Sequence, residues 1–248
     1  MIDALFLIVV ECGRSSARES ACRVAGGAFA ALLLAEFDIS VQSCVTQIGD
    51  IKAKEIDFDF ANSSEIFWAD QNNQDSAKEL ILNTKNANDS LGATVLTIIK
   101  GAPAGLGEVL YNKLDAALAS AMMGINGVKG VEIGDGINVA TMLGSQNNDF
   151  MDKNGFKSNH CGGILGGISN GNDIVIKSYF KPTPSIFKAQ PTINLDGNEV
   201  ICELRGRHDP CIGVRGSVVA TAMARLVIAD MLLLNASANL NNLKRIYQ

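Results

Sequence analysis

The chain has 248 residues, with 21 Lys plus Arg against 26 Asp plus Glu, a formal net charge of −5, and 47% hydrophobic against 19% charged residues. That balance is typical of a folded globular chain able to bury a substantial core, and it argues against long disordered tracts. A sequence pI near 5.1 argues against a broad nucleic-acid surface, which needs a basic excess, but leaves room for a local basic pocket.

Ser16-Ala17-Arg18-Glu19 has the S-x-x-E form of a capping box. Cys22, Ala25, Phe29, Leu32 and Leu33 then recur at helical spacing, so Ser16 to Glu36 is expected to be a helix. Its small residues, Ala25-Gly26-Gly27-Ala28, permit close approach of another backbone. Its N-terminus, beside Arg14, attracts phosphate through free N–H groups and the dipole.

Ile39, Val41 and Val45 alternate as in a half-buried strand that ends at Gly49-Asp50. Ser63 to Asn83 is polar, helical in its second half, and expected to be surface without chemistry. Ala93 to Ile99 is a short apolar strand. After Gly105-Leu106-Gly107-Glu108, Leu110, Leu114, Leu118 and Ala121 form the stripe of a second amphipathic helix.

Asn126-Gly127 and Gly134-Asp135-Gly136 are turn signals flanking Val128 to Ile133. Gly144 to Phe156 is polar and expected to be a long loop. Glycines crowd Gly162 to Gly167 before a strand at Ile174 to Phe180. Lys181-Pro182-Thr183-Pro184-Ser185 cannot be helix or central strand, because two prolines remove donors and fix the backbone. A final helix is expected from about Val218 to Leu234, with Asn235 to Asn242 as its polar exit. Helices and strands mix without regular βαβ alternation, which indicates α+β.

No stretch reaches the roughly 18 uninterrupted apolar residues of a membrane helix. Ala4 to Val10 is short, and Arg225 and Asp230 interrupt Val218 to Leu234. The N-terminus carries Asp3 instead of a basic region, which speaks against a secretory signal. Cys12, Cys22, Cys44, Cys161, Cys202 and Cys211 are scattered without a C-x-x-C pair, as reduced thiols would be. The expectation is a soluble cytoplasmic protein with neither a nucleic-acid nor a membrane partner.

Six of eight arginines fall in two short windows, Arg14, Arg18 and Arg23, then Arg205, Arg207 and Arg215. Planar donor forks in glycine-rich segments suit phosphate and carboxylate, although surface ion pairs produce the same pattern. Gly206-Arg207-His208-Asp209-Pro210-Cys211 places a fork, an imidazole and a carboxylate side by side. That segment is either a proton-handling site or a tight turn capped by its Asp. His160-Cys161 and His208-x-x-Cys211 fit no common zinc spacing, so no metal site is expected. There is no P-loop, no G-x-G-x-x-G opening a helix and no nucleophile elbow.

Taken together, the motifs resemble the chorismate synthase family. They are Gly13-Arg14-Ser15-Ser16-Ala17-Arg18-Glu19, Gly105 to Glu108, Asn126 to Gly130, Glu132 to Gly136, Gly162 to Gly171, Lys181 to Ser185, and Gly206 to Cys211. The resemblance implies an α+β sandwich with helices between two antiparallel sheets, here N-terminally truncated, in a homotetramer. Residues 1–12 would be a divergent segment and 13–248 one partial domain. It also implies reduced FMN and an anti 1,4-elimination of phosphate from 5-enolpyruvylshikimate 3-phosphate, giving chorismate.

By the same resemblance, Arg14, Ser15, Ser16, Asn126, Gly127, Gly166, Lys181, Pro182, Thr183, Pro184, Ser185 and Arg207 would contact the flavin. Asp209 would assist proton removal from it. The family's Gly-Glu-Ser-His-Gly and His-Ala-Asp motifs, which carry its two catalytic histidines, do not occur in this sequence. Where the family runs Arg-Gly-Gly-Gly-Arg-Ser-Ser, the chain has Val9-Val10-Glu11-Cys12-Gly13-Arg14-Ser15-Ser16. Impaired turnover is therefore expected, with a non-catalytic protein that keeps part of the flavin site and the oligomer surface as the alternative. No NAD(P)H motif is visible.

Overall fold

The computed structural model describes residues 16–204, 206 and 209–248. A single 3-10 turn, Ala17–Glu19, is capped by Ser16, whose hydroxyl accepts from the Arg18 N–H, and leads into helix α1, Ser20–Ala35. Strands β1, Ser40–Ile48, and β2, Ile51–Lys52, form a tight hairpin. Helices α2, Phe58–Ser63, and α3, Gln74–Asn86, precede strand β3, Ala93–Lys100. Helix α4, Leu114–Met123, is followed by β4, Val128–Ile133.

The next segment holds a short helix α5, Gly144–Asn147, and two small hairpins, β5–β6 (Met151–Asp152 and Gly155–Phe156) and β7–β8 (Ile164–Leu165 and Ile168–Ser169). Then come β9, Ile174–Phe180, and the ribbon β10–β11, Gln190–Ile193 and Glu199–Cys202. Helices α6, Ile212–Ser237, and α7, Leu240–Tyr247, complete the chain.

Five strands pair antiparallel in the order β2-β1-β3-β9-β4. Alternation assigns the two sheet faces. Val41, Val45, Val95, Ile99, Ile174, Ile176 and Phe180 join one core cluster with Val219, Ala220, Ala224 and Ile228 of α6. Cys44 and Leu96 face the other way and pack with Ala61 and Ala69. On the helix face, the Thr221 hydroxyl donates to Ser43 at 2.8 Å, and Ser43 meets Thr97 at 2.8 Å, tying α6 to the sheet. Helix α6 is long and apolar enough by length and composition to cross a membrane, yet it lies on the sheet as the central helix of the core. The observed class is α+β, as expected.

Several expectations need correcting. The stripe Cys22, Ala25, Phe29 and Leu32 faces away from the sheet, and Ser20, Gly27, Ala30 and Leu34 are the buried positions of α1. The cause is that α1 is apolar on every side from Val24 to Ala35, so its periodicity cannot say which side meets the core. Gly27 does provide the close approach expected of it: a Cβ there would lie 2.5 Å from the Ala222 Cα.

Ser63 to Asn83 is not simply surface. Trp68 and Ala69 are fully buried, and Asp70 is buried with its carboxylate accepting from the N–H groups of Lys54 and Asn72 at 2.8 and 2.9 Å. Leu110 is exposed and outside α4, because the preceding loop is anchored elsewhere, with the Gly105 N–H donating to Ser169 O and the Leu114 N–H to Gly167 O. Helix α6 begins at Ile212, earlier than expected. The segment from Asn235 is no simple exit, since the Asn239 side chain caps α7.

Candidate functional site

Helices α1 and α6 run in the same direction. Ser20 and Gly216 border one cavity at their starts, and further along Gly27 meets Ala222 and Gly26 meets Leu226. Both N-termini therefore open onto the same space, a cavity of about 770 Å³ at the end of the sheet where β9 finishes. Two helix starts present orphan N–H groups and the positive ends of two dipoles, which favour an anion. The C-terminus of α4 is tied in as well, since Arg23 Nη1 donates to Gly124 O at 2.7 Å.

The walls come from separate parts of the chain. Phe67, Ile125, Phe180, Ile212 and Val219 supply apolar surface. Phe180 can lie against α6 only because residue 216 is glycine, as a Cβ there would sit 2.4 Å from the ring. Phe67 has a positive φ of 51°, an uncommon conformation for an aromatic residue and a mark of local backbone strain at a cavity wall. Ser16, Ser20, Asn126 and Thr183 supply polar groups, and Arg18, Arg215 and Asp209 supply charge.

Thr183 is held in place where its carbonyl accepts from the Ser90 hydroxyl at 2.7 Å. Its own hydroxyl oxygen is buried and has no hydrogen-bond partner among the described residues. Arg215 Nη1 meets Asp209 Oδ2 at 3.0 Å. The Leu91 N–H donates to Pro210 O at 2.7 Å, fixing the start of α6 against the β3 entry. Next in the chain, burial pushes the Cys211 thiol up to about 11.

Of the residues singled out in sequence, Ser16, Asn126, Thr183 and Asp209 converge on this cavity. Gly127 adjoins it with φ 91°, and its carbonyl accepts from the Lys181 N–H at 2.8 Å. Lys181, Pro182 and Pro184 are exposed, and with Ser185 they lie along the strap that carries Thr183. Gly166 is elsewhere. Its hairpin abuts the start of α4, whereas Asn126 follows the end of that ten-residue helix, about 15 Å away by helical rise. Arg14, Ser15 and Arg207 lie outside the described residues, as do Glu11, Cys12, Arg205 and His208.

The sequence reading missed Phe67 as a wall, and it grouped Arg18 and Arg215 with an anion site without assigning them to it. At the far end of the sheet, His160 Nδ1 pairs with Asp135 Oδ2 at 2.6 Å. Among the described residues no cluster of His, Cys, Asp and Glu could hold a metal ion.

A protein-family model described as chorismate synthase matches residues 8–233. A chorismate synthase of Campylobacter fetus subsp. fetus is 72% identical over 235 residues, covering 95% of this chain and 66% of that relative. A chorismate synthase of Campylobacter jejuni subsp. jejuni is 62% identical over 239 residues, again with 95% and 66% covered. The chain thus spans 66% of the length of the relatives it matches. A solved structure described as a crystal structure of chorismate synthase superposes with a TM-score of 0.75 at 31% identity, over 89% of this chain and 65% of that one.

Proposed function

The chain belongs to the chorismate synthase family, and from that premise we propose that its cavity is a site for FMN. The observation that carries this reading is the buried Thr183 hydroxyl, without a partner among the described residues, at the wall of a space that two helix N-termini also face. A volume of about 770 Å³ falls within the range of cofactor pockets, which are mostly apolar with a few placed polar groups. Phe67, Phe180, Ile212 and Val219 suit a flat ring system, and Ser16, Asn126 and Thr183 suit a phosphate.

Reduced FMN, when bound, supplies an electron that is lent and recovered without net consumption. The phosphate end would be held by Ser16, Asn126 and the Lys181 to Ser185 strap, with Arg14, Ser15 and Arg207 as further ligands. Gly127 allows the positive φ of 91° with which the chain turns after Asn126. Arg215 holds one carboxylate oxygen of Asp209, so that the other, Oδ1, is the atom left to accept or return a proton. Arg18 and Arg215 together offset the phosphate and carboxylates of 5-enolpyruvylshikimate 3-phosphate, whose anti 1,4-elimination to chorismate is the proposed family reaction.

Gly-Glu-Ser-His-Gly and His-Ala-Asp are absent from the sequence. These residues would therefore supply the flavin side of the site, and a polypeptide of these 248 residues alone is expected to bind FMN with little or no turnover. Fluorescence titration of FMN tests the site: Thr183→Val should weaken binding about tenfold or more, the value of a hydrogen bond to a charged group. No FMN binding, or equal binding by the variant, would overturn it. Chorismate formed at an ordinary enzymatic rate with chemically reduced FMN under anaerobic conditions would overturn the impairment. A homotetramer remains part of the proposal and is checked by molar mass in solution.

A further inference from the structure

The segment that follows β9 cannot hold itself in place. Pro182 and Pro184 have no N–H to donate, and the strap from Lys181 to Phe187 forms neither helix nor strand. It is fastened instead to one turn, Asn88 to Gly92, which lies between α3 and β3. There the Asn88 N–H donates to Lys85 O and the Asp89 N–H to Thr84 O, both at 3.0 Å, with Asn88 at a φ of 58°. This is a left-handed C-terminal cap of α3, and asparagine is among the few residues other than glycine that adopt it readily. The Asp89 carboxylate accepts from the Ser90 N–H at 2.9 Å and so fixes the residue next after the cap.

From this turn the Ser90 hydroxyl donates to Thr183 O at 2.7 Å, Asn88 O accepts from the Phe187 N–H at 3.2 Å, and Asp89 Oδ2 pairs with Lys188 Nζ at 2.5 Å. The ion pair is exposed on both sides and contributes little alone. The Ser90 bond is different, because it grips the strap at the residue whose hydroxyl is buried at the cavity wall. One residue further on, the Leu91 N–H holds Pro210 O, next to Asp209 on another wall of the same cavity. The strap that bears Thr183 and the arm that bears Asp209 thus hang from adjacent residues of one capped turn. We propose that Ser90 is a positioning residue of the cavity: its hydroxyl sets the place of Thr183 relative to Asp209, and thereby presents the Thr183 hydroxyl to the ligand. The inference deepens the FMN reading and rests on it for the identity of that ligand. The hold of Ser90 on the strap does not depend on any ligand.

The test uses the full chain. Ser90→Ala removes one donor and should weaken FMN binding, read by fluorescence titration, about fivefold. Thr183→Val weakens it about tenfold, so two independent losses would multiply to about 50-fold. Because Ser90 acts only through Thr183, the double variant should bind no worse than Thr183→Val alone. Full multiplication, or unchanged binding by Ser90→Ala, would overturn the proposal. A second measurement needs no flavin. Trypsin cuts after Lys188 but not after Lys181, which precedes Pro182, so cleavage between Lys188 and Ala189 reports an open strap. Its rate should rise about fivefold in Ser90→Ala, since cleavage tracks the population of the open form. Cys211, buried beside the arm, should stay as resistant to alkylation as in the parent, because the Leu91 N–H is untouched. Unchanged cleavage would sink the idea, and so would cleavage and Cys211 alkylation rising together, the sign of general unfolding. If the parent chain binds no FMN, the cofactor reading fails by itself, and cleavage after Lys188 still decides whether Ser90 holds the strap.

Discussion

Gly26 and Gly27 are adjacent in α1 but should respond to alanine in opposite directions. At Gly27 a Cβ would lie 2.5 Å from both the Cα and the Cβ of Ala222 and 2.9 Å from its carbonyl oxygen. Carbon atoms pack best at about 3.5–4.0 Å, so α1 and α6 would have to separate by about 1 Å. The obstacle is backbone, and no side-chain rotation relieves it. Overpacking of this kind costs about 1–3 kcal/mol, and removing a glycine from a helix interior returns about 0.5–1 kcal/mol.

With the clash at the upper end, the net loss for Gly27→Ala is about 2 kcal/mol. For a chain of this size that lowers Tm by about 4–8 °C. At Gly26 the nearest atom to an added Cβ is the Leu226 Cδ2 at 3.6 Å, an ordinary contact. Gly26→Ala should therefore raise Tm by about 2 °C through the helix term alone. Thermal and urea unfolding with unchanged m-values measure both. Adding Ala222→Gly to Gly27→Ala should recover part of the loss, which shows that the two positions are coupled. If Gly27→Ala is as stable as the parent, the parallel α1–α6 contact is wrong.

Two further outcomes follow from the titrating groups. Burial pushes the Cys44 thiol up to about 12 and the Cys211 thiol up to about 11, so both should resist alkylation at pH 8 until the chain unfolds, whereas exposed Cys22 reacts at once; mass spectrometry of the labelled peptides reads this. Burial alone would raise the Asp149 carboxyl, but the Ser158 hydroxyl and the N–H groups of Cys161 and His160 outweigh it and hold it at about 2. Its folded pKa is depressed, so its stabilising contribution is complete above about pH 4 and is lost as pH falls toward 2. Asp149→Asn should flatten the acid limb of a Tm-against-pH profile in that window while leaving the neutral-to-alkaline shape unchanged.

The sheet was largely legible because its inner strands announce themselves. Ala93 to Ile99 and Ile174 to Phe180 are short apolar runs between turn residues, and both are central strands. Helix α1 was legible as a helix but not in its orientation, since periodicity identifies residues that share a side and is silent on which side is covered. Trp68 and Asp70 were hidden because Ile66-Phe67-Trp68-Ala69 is a four-residue apolar run inside a polar stretch, too short to show a period. The burial of Asp70 depends on backbone N–H groups of Lys54, Glu55 and Asn72, which no side-chain pattern displays.

The cavity was partly foreseen through its arginines and the Lys181 to Ser185 strap. Phe67 was not, because its position follows from a positive φ fixed by tertiary structure. Gly166 shows the converse limit: a motif position has an address in the chain, and only the fold says which cavity that address belongs to.

Helices α1 and α6 meet side by side although Ser20 and Ile212 stand nearly two hundred positions apart, with the whole sheet between them in the chain. The cavity between their starts cannot exist in a nascent chain until α6 has been synthesised and released to pack. Such long-range closure is a late event in folding. Occupancy of the cavity is then a proxy for completed assembly. Any small anion that binds only the finished arrangement would favour it by mass action, adding stability that grows with the logarithm of its concentration and multiplying the native-to-unfolded ratio by one plus its concentration over Kd.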